Sequence, residues 1–588
     1  MRSMSHHFIL VGAALLAGGS AQAQTSTRQE TTAASIAVRD FFRKPEKSHF
    51  QISEDGQTLS FMQPIALDGT LVRRNVFVQA LEGSKPVGEP RRLTAESARD
   101  ISGYSWKGNS NILYTKDFGG DENFHIVSVD VASGKVTDLT PWPGVRANLE
   151  NNLIDDPDHI LSSHNRRNKE VFDVYRYDLR TGKDELVAQN PGNVEAWAFD
   201  HAGHVRLATV SDGLLTHLQY RTDDKTPFKT IVSTDYKTFV NPFFFDAKNE
   251  KFYASSNRGR DKAALVLIDP AKPDVEQVLF EHPQVDIESA SWSDKEHKLT
   301  HIEYHTAKLE RRFVEPRIAG IFNAISKQLP GYEITLQGQN KAEDKFVVAS
   351  GNDLTQGTRY IYDAKSNTLS KLAELTPWLP EAAMSESKPI QYSARDGLVI
   401  NGYLTLPKNR DAKNLACVVN PHGGPWARDT WRYDPEVQML ASRGYCVLQM
   451  NFRGSTGYGR QFWEASFGQW GLAMQDDVTA GVHWLVKQGI ADPKRVGIYG
   501  GSYGGYTTLA GVAFTPALYA AAVDYVGVAN MLSFMSTIPP YWELFRTKMY
   551  AMVGDPKPKR DWKPPHQRCM LTASKRRCSL PKAPKTRE

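Results

Sequence analysis

Gly500-Gly501-Ser502-Tyr503-Gly504 sets a serine among glycines, directly after the apolar run R-V-G-I-Y (495–499) and before T-T-L-A-G-V-A. Strand, tight turn and helix in that order make a nucleophile elbow, which lifts a serine hydroxyl clear of its sheet. The chemistry such a serine performs is acyl transfer through a covalent intermediate. Upstream, His422-Gly423-Gly424-Pro425 follows the apolar run L-A-C-V-V-N. Glycines there let backbone approach a reacting carbonyl. Paired with the elbow, Gly424 and Tyr503 are the expected backbone donors to an oxyanion. A third loop, N-F-R-G-S-T-G-Y-G (451–459), follows the next apolar run. It lacks the Gly-Lys-Ser/Thr ending of a nucleotide loop, so it reads as a rigid wall beside the site, with Arg453 in a structural ion pair. Asp476 and Asp477, on a helix, read as helix solvation and loop anchoring.

These loops need a sheet to carry them. P-I-Q-Y-S-A-R-D-G-L-V-I-N-G-Y-L-T-L-P reads as a hairpin pair, and 415–420, 445–450, 495–499 and 521–526 read as buried strands. Between them, 475–489 has Val478, Val482 and Leu485 on one helical face and Gly489 to stop it. Buried strands alternating with helices predict a parallel α/β sheet. From about 48 to 385 the texture is short strands and turns without helices. S-V-D-V-A-S-G-K-V-T-D-L-T, Y-R-Y-D-L-R-T-G-K-D-E-L-V and Y-I-Y-D-A-K-S-N-T-L-S-K-L repeat one phrase: strand, aspartate, turn, strand. At roughly 40–50 residues per four-stranded blade, that length predicts a β-propeller of about seven blades; a pair of β-sandwiches is the alternative.

The three loops in this order, with G-G-S-Y-G-G-Y at 500–506, R-D-G-L (395–398), I-P-P-Y-W (538–542) and V-G-D-P (553–556), resemble the prolyl oligopeptidase family of serine peptidases, nearest its acylaminoacyl- and dipeptidyl-peptidase branches. The resemblance implies an N-terminal propeller over a C-terminal α/β-hydrolase domain. It also implies that Tyr541 and Trp542 border the pocket for the residue before the cleaved bond, an ordinary aromatic core pair being the alternative. Asp121 and Glu122, in G-G-D-E-N-F, are candidates for holding a substrate amino terminus, with a plain turn as the competing reading. The expected division is a signal peptide (1–23), a propeller with N-terminal extension (24–385), a hydrolase domain incomplete at its C-terminal end (386–556) and an aberrant, disordered basic tail (557–588).

The departure from the family lies in that tail. A serine hydrolase needs a base and an orienting carboxylate, and in this fold both follow the nucleophile, acid first. After Ser502 the only histidine is His566, behind Pro564-Pro565, and Asp524 and Asp555 end no further strand. The triad acid and base are therefore expected to be absent from the chain as written, and catalysis to be impaired. After V-G-D-P the sequence becomes rich in Pro, Lys and Arg. Read one frame across, the codons of Met570–Glu588 permit H-A-H-R-I-K-A-P-L-F-I-A-Q-G-A-K-D-P-R, which resembles the family's segment around its catalytic aspartate. The tail is accordingly expected to be a reading-frame error.

Composition narrows the remaining classes. With 40% hydrophobic and 23% charged residues, the 588-residue chain is neither disordered, collagen-like nor coiled-coil. Its net charge of +5 arises in the tail: residues 557–588 carry eleven Lys/Arg against two acids, leaving the rest at −4 and removing any charge argument for nucleic acid. Four cysteines exclude a disulfide scaffold, and Cys417 and Cys446, inside apolar runs, read as small core residues. Arg2, the apolar stretch F-I-L-V-G-A-A-L-L-A and Ala21-Gln22-Ala23 read as a secretory signal, so a periplasmic or secreted protein is expected. No cofactor, metal or membrane span is expected; short peptides are the expected partners, and the oligomeric state stays open. A secreted esterase or lipase, and a catalytically dead peptide-binding propeller, are the alternative functions.

Overall fold

Each repeated phrase folds as a hairpin whose aspartate caps its own turn. Asp130 Oδ1 accepts from Ser133 N, Asp178 Oδ1 from Arg180 N and Thr181 N, and Asp363 Oδ1 from Lys365 N and Ser366 N, all at 2.7–3.1 Å. This is the local bonding that makes Asp a turn-former, and each hairpin joins the last two strands of a blade. The computed structural model describes residues 36–67, 71–538 and 543–555. Within them seven antiparallel sheets span 48–92, 104–138, 147–188, 194–235, 240–280, 287–313 and 333–374. Six have four strands and the sixth in chain order has three.

That sixth blade departs from an all-strand propeller. After its third strand comes the helix Pro316–Gln328. Glu315 caps it, accepting from Arg317 N and Ile318 N, and Pro316 occupies the first turn, where its missing N–H costs nothing. Ile318, Ile321, Phe322 and Ile325 form the buried stripe. Every propeller sheet is one continuous chain segment, so the ring closes through side-chain packing and single hydrogen bonds, among them Lys341 N to Glu54 O at 2.8 Å, rather than a shared strand. Phe50, Ile52, Leu59, Phe61 and Leu81 of the first blade pack with Val347 and Ile361 of the last, and Lys345 Nζ donates to Gly56 O at 2.8 Å.

The C-terminal domain is built on a six-stranded sheet. Its order is Ser387–Ser393, Val399–Thr405, Cys446–Asn451, Leu415–Val419, Ala491–Gly501, Ala521–Tyr525, the first two pairings antiparallel and the rest parallel. Residues 36–42 dock on this domain too: Phe41 packs with Leu379, Met384 and Tyr433, and Trp378 Nε1 donates to Asp40 O. Two sequence expectations change here. Cys417 and Cys446 are buried as expected, but they are register partners on adjacent strands and form a disulfide, so they are not free core thiols. The strand 521–525 is not buried: Val523 is 56% and Tyr525 41% exposed, because no further strand among the described residues covers this edge. Among the described residues no helix is long and apolar enough to cross a membrane.

Candidate active site

Ser502 sits at the end of Ala491–Gly501 and caps the helix Tyr503–Phe514 with φ 56° and ψ −117°. A non-glycine residue in this region is strained and holds only where its surroundings force it. Here they do. The Ser502 N–H donates to Tyr525 O at 3.0 Å, and three glycines leave room for the turn. A Cβ on Gly500 would stand 2.5 Å from the Gly504 backbone; on Gly504, 2.2 Å from Pro421 O; on Gly505, 2.3 Å from Asp524 Oδ1. The result is an exposed serine over a buried helix start. Tyr503, the first residue of that helix, has an N–H with no intrahelical acceptor.

The Gly423–Gly424 segment closes over the nucleophile: a Cβ on Gly423 would lie 3.5 Å from Ser502 Cβ and 3.3 Å from Gly501 O. Gly424 has φ +118°, where a side chain would be strained, and would press on Trp426 N at 2.8 Å. His422 ahead of it is largely buried, stacked on Phe452 with centroids 4.4 Å apart. Its Nδ1 lies 2.7 Å from Gly423 O and its Nε2 2.9 Å from Ser455 Oγ. Loss of water around the ring pushes its pKa down to about 4, against the raising effect of the Gly423 carbonyl.

The loop 451–459 is fixed at both ends. Arg453 donates from N, Nε and Nη2 to the buried Asp477 at 2.7–2.9 Å, and from Nη1 and Nη2 to Asp396 at 2.9–3.0 Å. The hydrogen bonds to Asp477 push the guanidinium pKa still higher than usual, and Asp476 points to solvent. At the other end the propeller holds the loop. Gly459 N donates to Asp286 Oδ2 and Asp286 N to Gly457 O, both at 3.0 Å. Gln461 N donates to Asp261 Oδ1 at 2.7 Å, and Lys262 Nζ reaches Tyr458 O. Thr456 N donates to Ala427 O, linking this loop to the one after His422. The contacts of His422 with Ser455 and of the loop with these propeller residues join positions far apart in the chain, so no local sequence signal carries them.

The other sequence candidates are not brought to Ser502 by any described contact. Asp121 closes its own loop, accepting from Phe118 N, Asn123 N and Asn123 Nδ2, and the Asn123 side chain holds its carboxyl below the usual range. Glu122 beside it is exposed with φ 59°. Tyr541, Trp542 and His566 lie outside the described residues. Among the described residues no side chain hydrogen-bonds to the Ser502 hydroxyl, and Asp524 keeps Oδ1 buried against Gly505 and Gly527.

Comparison with known proteins decides the family. The model of the prolyl oligopeptidase family matches residues 431–562. Dipeptidyl aminopeptidase BIII of Pseudoxanthomonas mexicana is 33% identical over 559 residues, 92% of this chain and 79% of the relative. The chain belongs to the prolyl oligopeptidase family. Within it, dipeptidyl peptidase family member 6 of Caenorhabditis elegans is 28% identical over 570 residues, 89% of this chain and 75% of the relative. Among solved structures, a puromycin-hydrolyzing peptidase of Mycobacterium tuberculosis aligns with TM-score 0.66 at 19% identity, covering 92% of this chain and 85% of that one. A prolyl endopeptidase structure gives TM-score 0.68 at 16% identity, covering 89% and 78%. These two likenesses carry the fold, a seven-bladed propeller and a hydrolase domain. As a prolyl oligopeptidase family member the chain is a serine peptidase by class, and its relatives act on peptides.

Proposed function

We propose that the chain is an exported peptidase that cleaves short peptides through an acyl-enzyme on Ser502, with the N–H groups of Tyr503 and Gly424 as oxyanion donors. The observation that carries this is the strained, exposed serine at the strand–helix junction with Gly423 closing over it. The names of the two long relatives suggest dipeptide release from an amino terminus. Asp121 and Glu122 are then the candidates to meet that amine, and Tyr541 and Trp542 to border the pocket. Export rests on the segment Arg2–Ala23, and the Cys417–Cys446 disulfide supports it, since such bonds persist in oxidising compartments.

The test offers a dipeptidyl-nitroanilide, a nitrophenyl ester, an octapeptide and a folded protein. Slow cleavage of the nitroanilide and octapeptide, in keeping with the expected impairment of the chain as written, sparing of the folded protein and loss of that activity in Ser502→Ala are expected. Turnover of the ester alone would make the protein an esterase. A second reading, a catalytically impaired peptide binder, is favoured by the lack of any described side chain bonded to the Ser502 hydroxyl. Failure of a fluorophosphonate to label Ser502 selects it. The gene sequence beyond codon 556 then decides whether an acid and a base lie in another frame.

A further inference from the structure

We propose that the open edge of the sixth blade is the contact through which two copies of this chain pair, the strand Leu309–Phe313 lying against its own counterpart. Six blades end on a fourth strand, whereas this one ends on its third, Leu309–Phe313. The chain that would continue as a fourth strand turns at Val314 into the helix Pro316–Gln328. That helix packs on the blade through Phe322. The Phe322 ring stands 5.5 Å from His301 and 5.1 Å from Phe313 between centroids, and the Arg311 guanidinium lies 4.7 Å from it. Phe313 faces His301 across the ladder, and Arg311 is two residues from Phe313, so all three share one face of the sheet. The helix therefore covers a face and leaves the edge.

The backbone of this edge has a definite parity. Val314 N donates to Thr300 O and Thr306 N to Lys308 O. Bonding residues alternate along an antiparallel pair, so Lys308, Glu310 and Arg312 turn their backbone groups to the neighbouring strand, and Leu309, Arg311 and Phe313 turn theirs outward. Leu309 N meets Glu333 Oε1 at 3.3 Å, while the backbone groups of Arg311 and Phe313 meet no partner among the described residues. Free N–H and C=O groups in a row are a template for another strand. The side chains choose which strand. With a second copy set antiparallel about a two-fold axis at Arg311, each Arg311 exchanges its outward N–H and C=O with its counterpart. Glu310 then stands opposite Arg312 of the second copy, and symmetry makes that pair twice. Glu310 and Arg312 are the two exposed residues of the strand. Opposite charges directly across an antiparallel pair favour it and like charges oppose it. The adjacent registers that keep the bonding parity would set Glu310 on Glu310 or Arg312 on Arg312, so charge selects this one. Arg311 does face its like, but each guanidinium is already matched by Glu303, whose Oε1 accepts from Arg311 Nε at 2.8 Å. Joined in this way, two three-stranded blades become one six-stranded sheet.

The test follows the intact chain by sedimentation velocity over a range of concentrations, with hydrogen–deuterium exchange of the segment 309–314. A monomer–dimer equilibrium is expected, with the Arg311 and Phe313 amides protected in the dimer alone. Glu310→Arg and Arg312→Glu each set like charges across the axis and should weaken the dimer by about tenfold or more. The double variant Glu310→Arg/Arg312→Glu restores opposite charges and should return to within about threefold of the wild type, which also shows that the blade tolerates both changes. A chain that stays monomeric at every concentration overturns the proposal, and so does a dimer indifferent to either reversal, which would place the contact elsewhere. Protection of the Arg311 and Phe313 amides in the monomer overturns it as well, since a segment of the same chain would then hold the edge. Ser502 takes no part in the contact, so this outcome is separate from that of the peptidase assays.

Discussion

Asp429 lies where one of its oxygens meets no partner: Oδ2 is buried and unpaired, while its backbone exchanges two hydrogen bonds with the Asn451 side chain. Burial, reinforced by Asp434, raises its pKa to about 7. A carboxyl raised in the folded state stabilises it below the ordinary pKa and loses that contribution as pH climbs through the folded value. His422, lowered to about 4, works the other way: its contribution is lost as pH falls from 6.5 toward 4. Asp429→Asn should therefore gain stability over the wild type as pH rises from 4 to 8, by up to about 4 kcal/mol. Urea midpoints at pH 4.5 and 8 measure it, and an equal difference at both would refute the shift. Ser502 was legible at this scale because its glycines are a local pattern. His422 was not, because its partner Ser455 is 33 residues away.

At the scale of elements, the elbow depends on helix and strand meeting backbone to backbone. Gly504→Ala would set a methyl 2.2 Å from the Pro421 carbonyl, and neither side can yield as a flexible side chain would. The expected outcome is a loss of about 1–3 kcal/mol or more and of Ser502 reactivity, read by thermal unfolding and by labelling. Unchanged labelling would mean that the helix can shift without cost. The strands and the elbow helix were readable from apolar runs bounded by turn residues. The helix Pro316–Gln328 was equally written, in E-P-R-I-A-G-I-F-N-A-I, with cap, proline and an i, i+3, i+4, i+7 stripe, but the strand rhythm around it masked the change of period. The exposure of 521–525 could not be read from composition, since A-A-V-D-Y-V is apolar enough for either environment; what decides is whether a neighbour covers it.

For the whole molecule, propeller and hydrolase domain meet at the loop that carries Ser455. Asp286 accepts from Ala263 N in the propeller and Gly459 N in the hydrolase domain, so one carboxylate serves both. Asp286→Ala leaves two N–H groups without acceptors, at about 1–3 kcal/mol each when buried. The expected result is faster proteolytic cutting between the domains, together with a drop in Ser502 labelling because the loop behind His422 loosens. A variant that opens the interface yet labels normally would uncouple the two. Seven blades were countable from length and turn phrases, whereas the pairing of Asp286 with a glycine 173 positions later belongs only to the folded chain.

The Cys417–Cys446 bond also makes the domain a mechanical object. It joins neighbouring strands 29 positions apart in the chain, so a pull on either end cannot extend the segment between them. At roughly 3.3–3.6 Å per residue that withholds about 100 Å of contour. A single molecule stretched between its termini should come to its full length about 100 Å short, and regain that length when a reductant is added. A cellular machine that threads polypeptides through a narrow pore would meet the same knot as a doubled strand, after the blades or the tail had already run through.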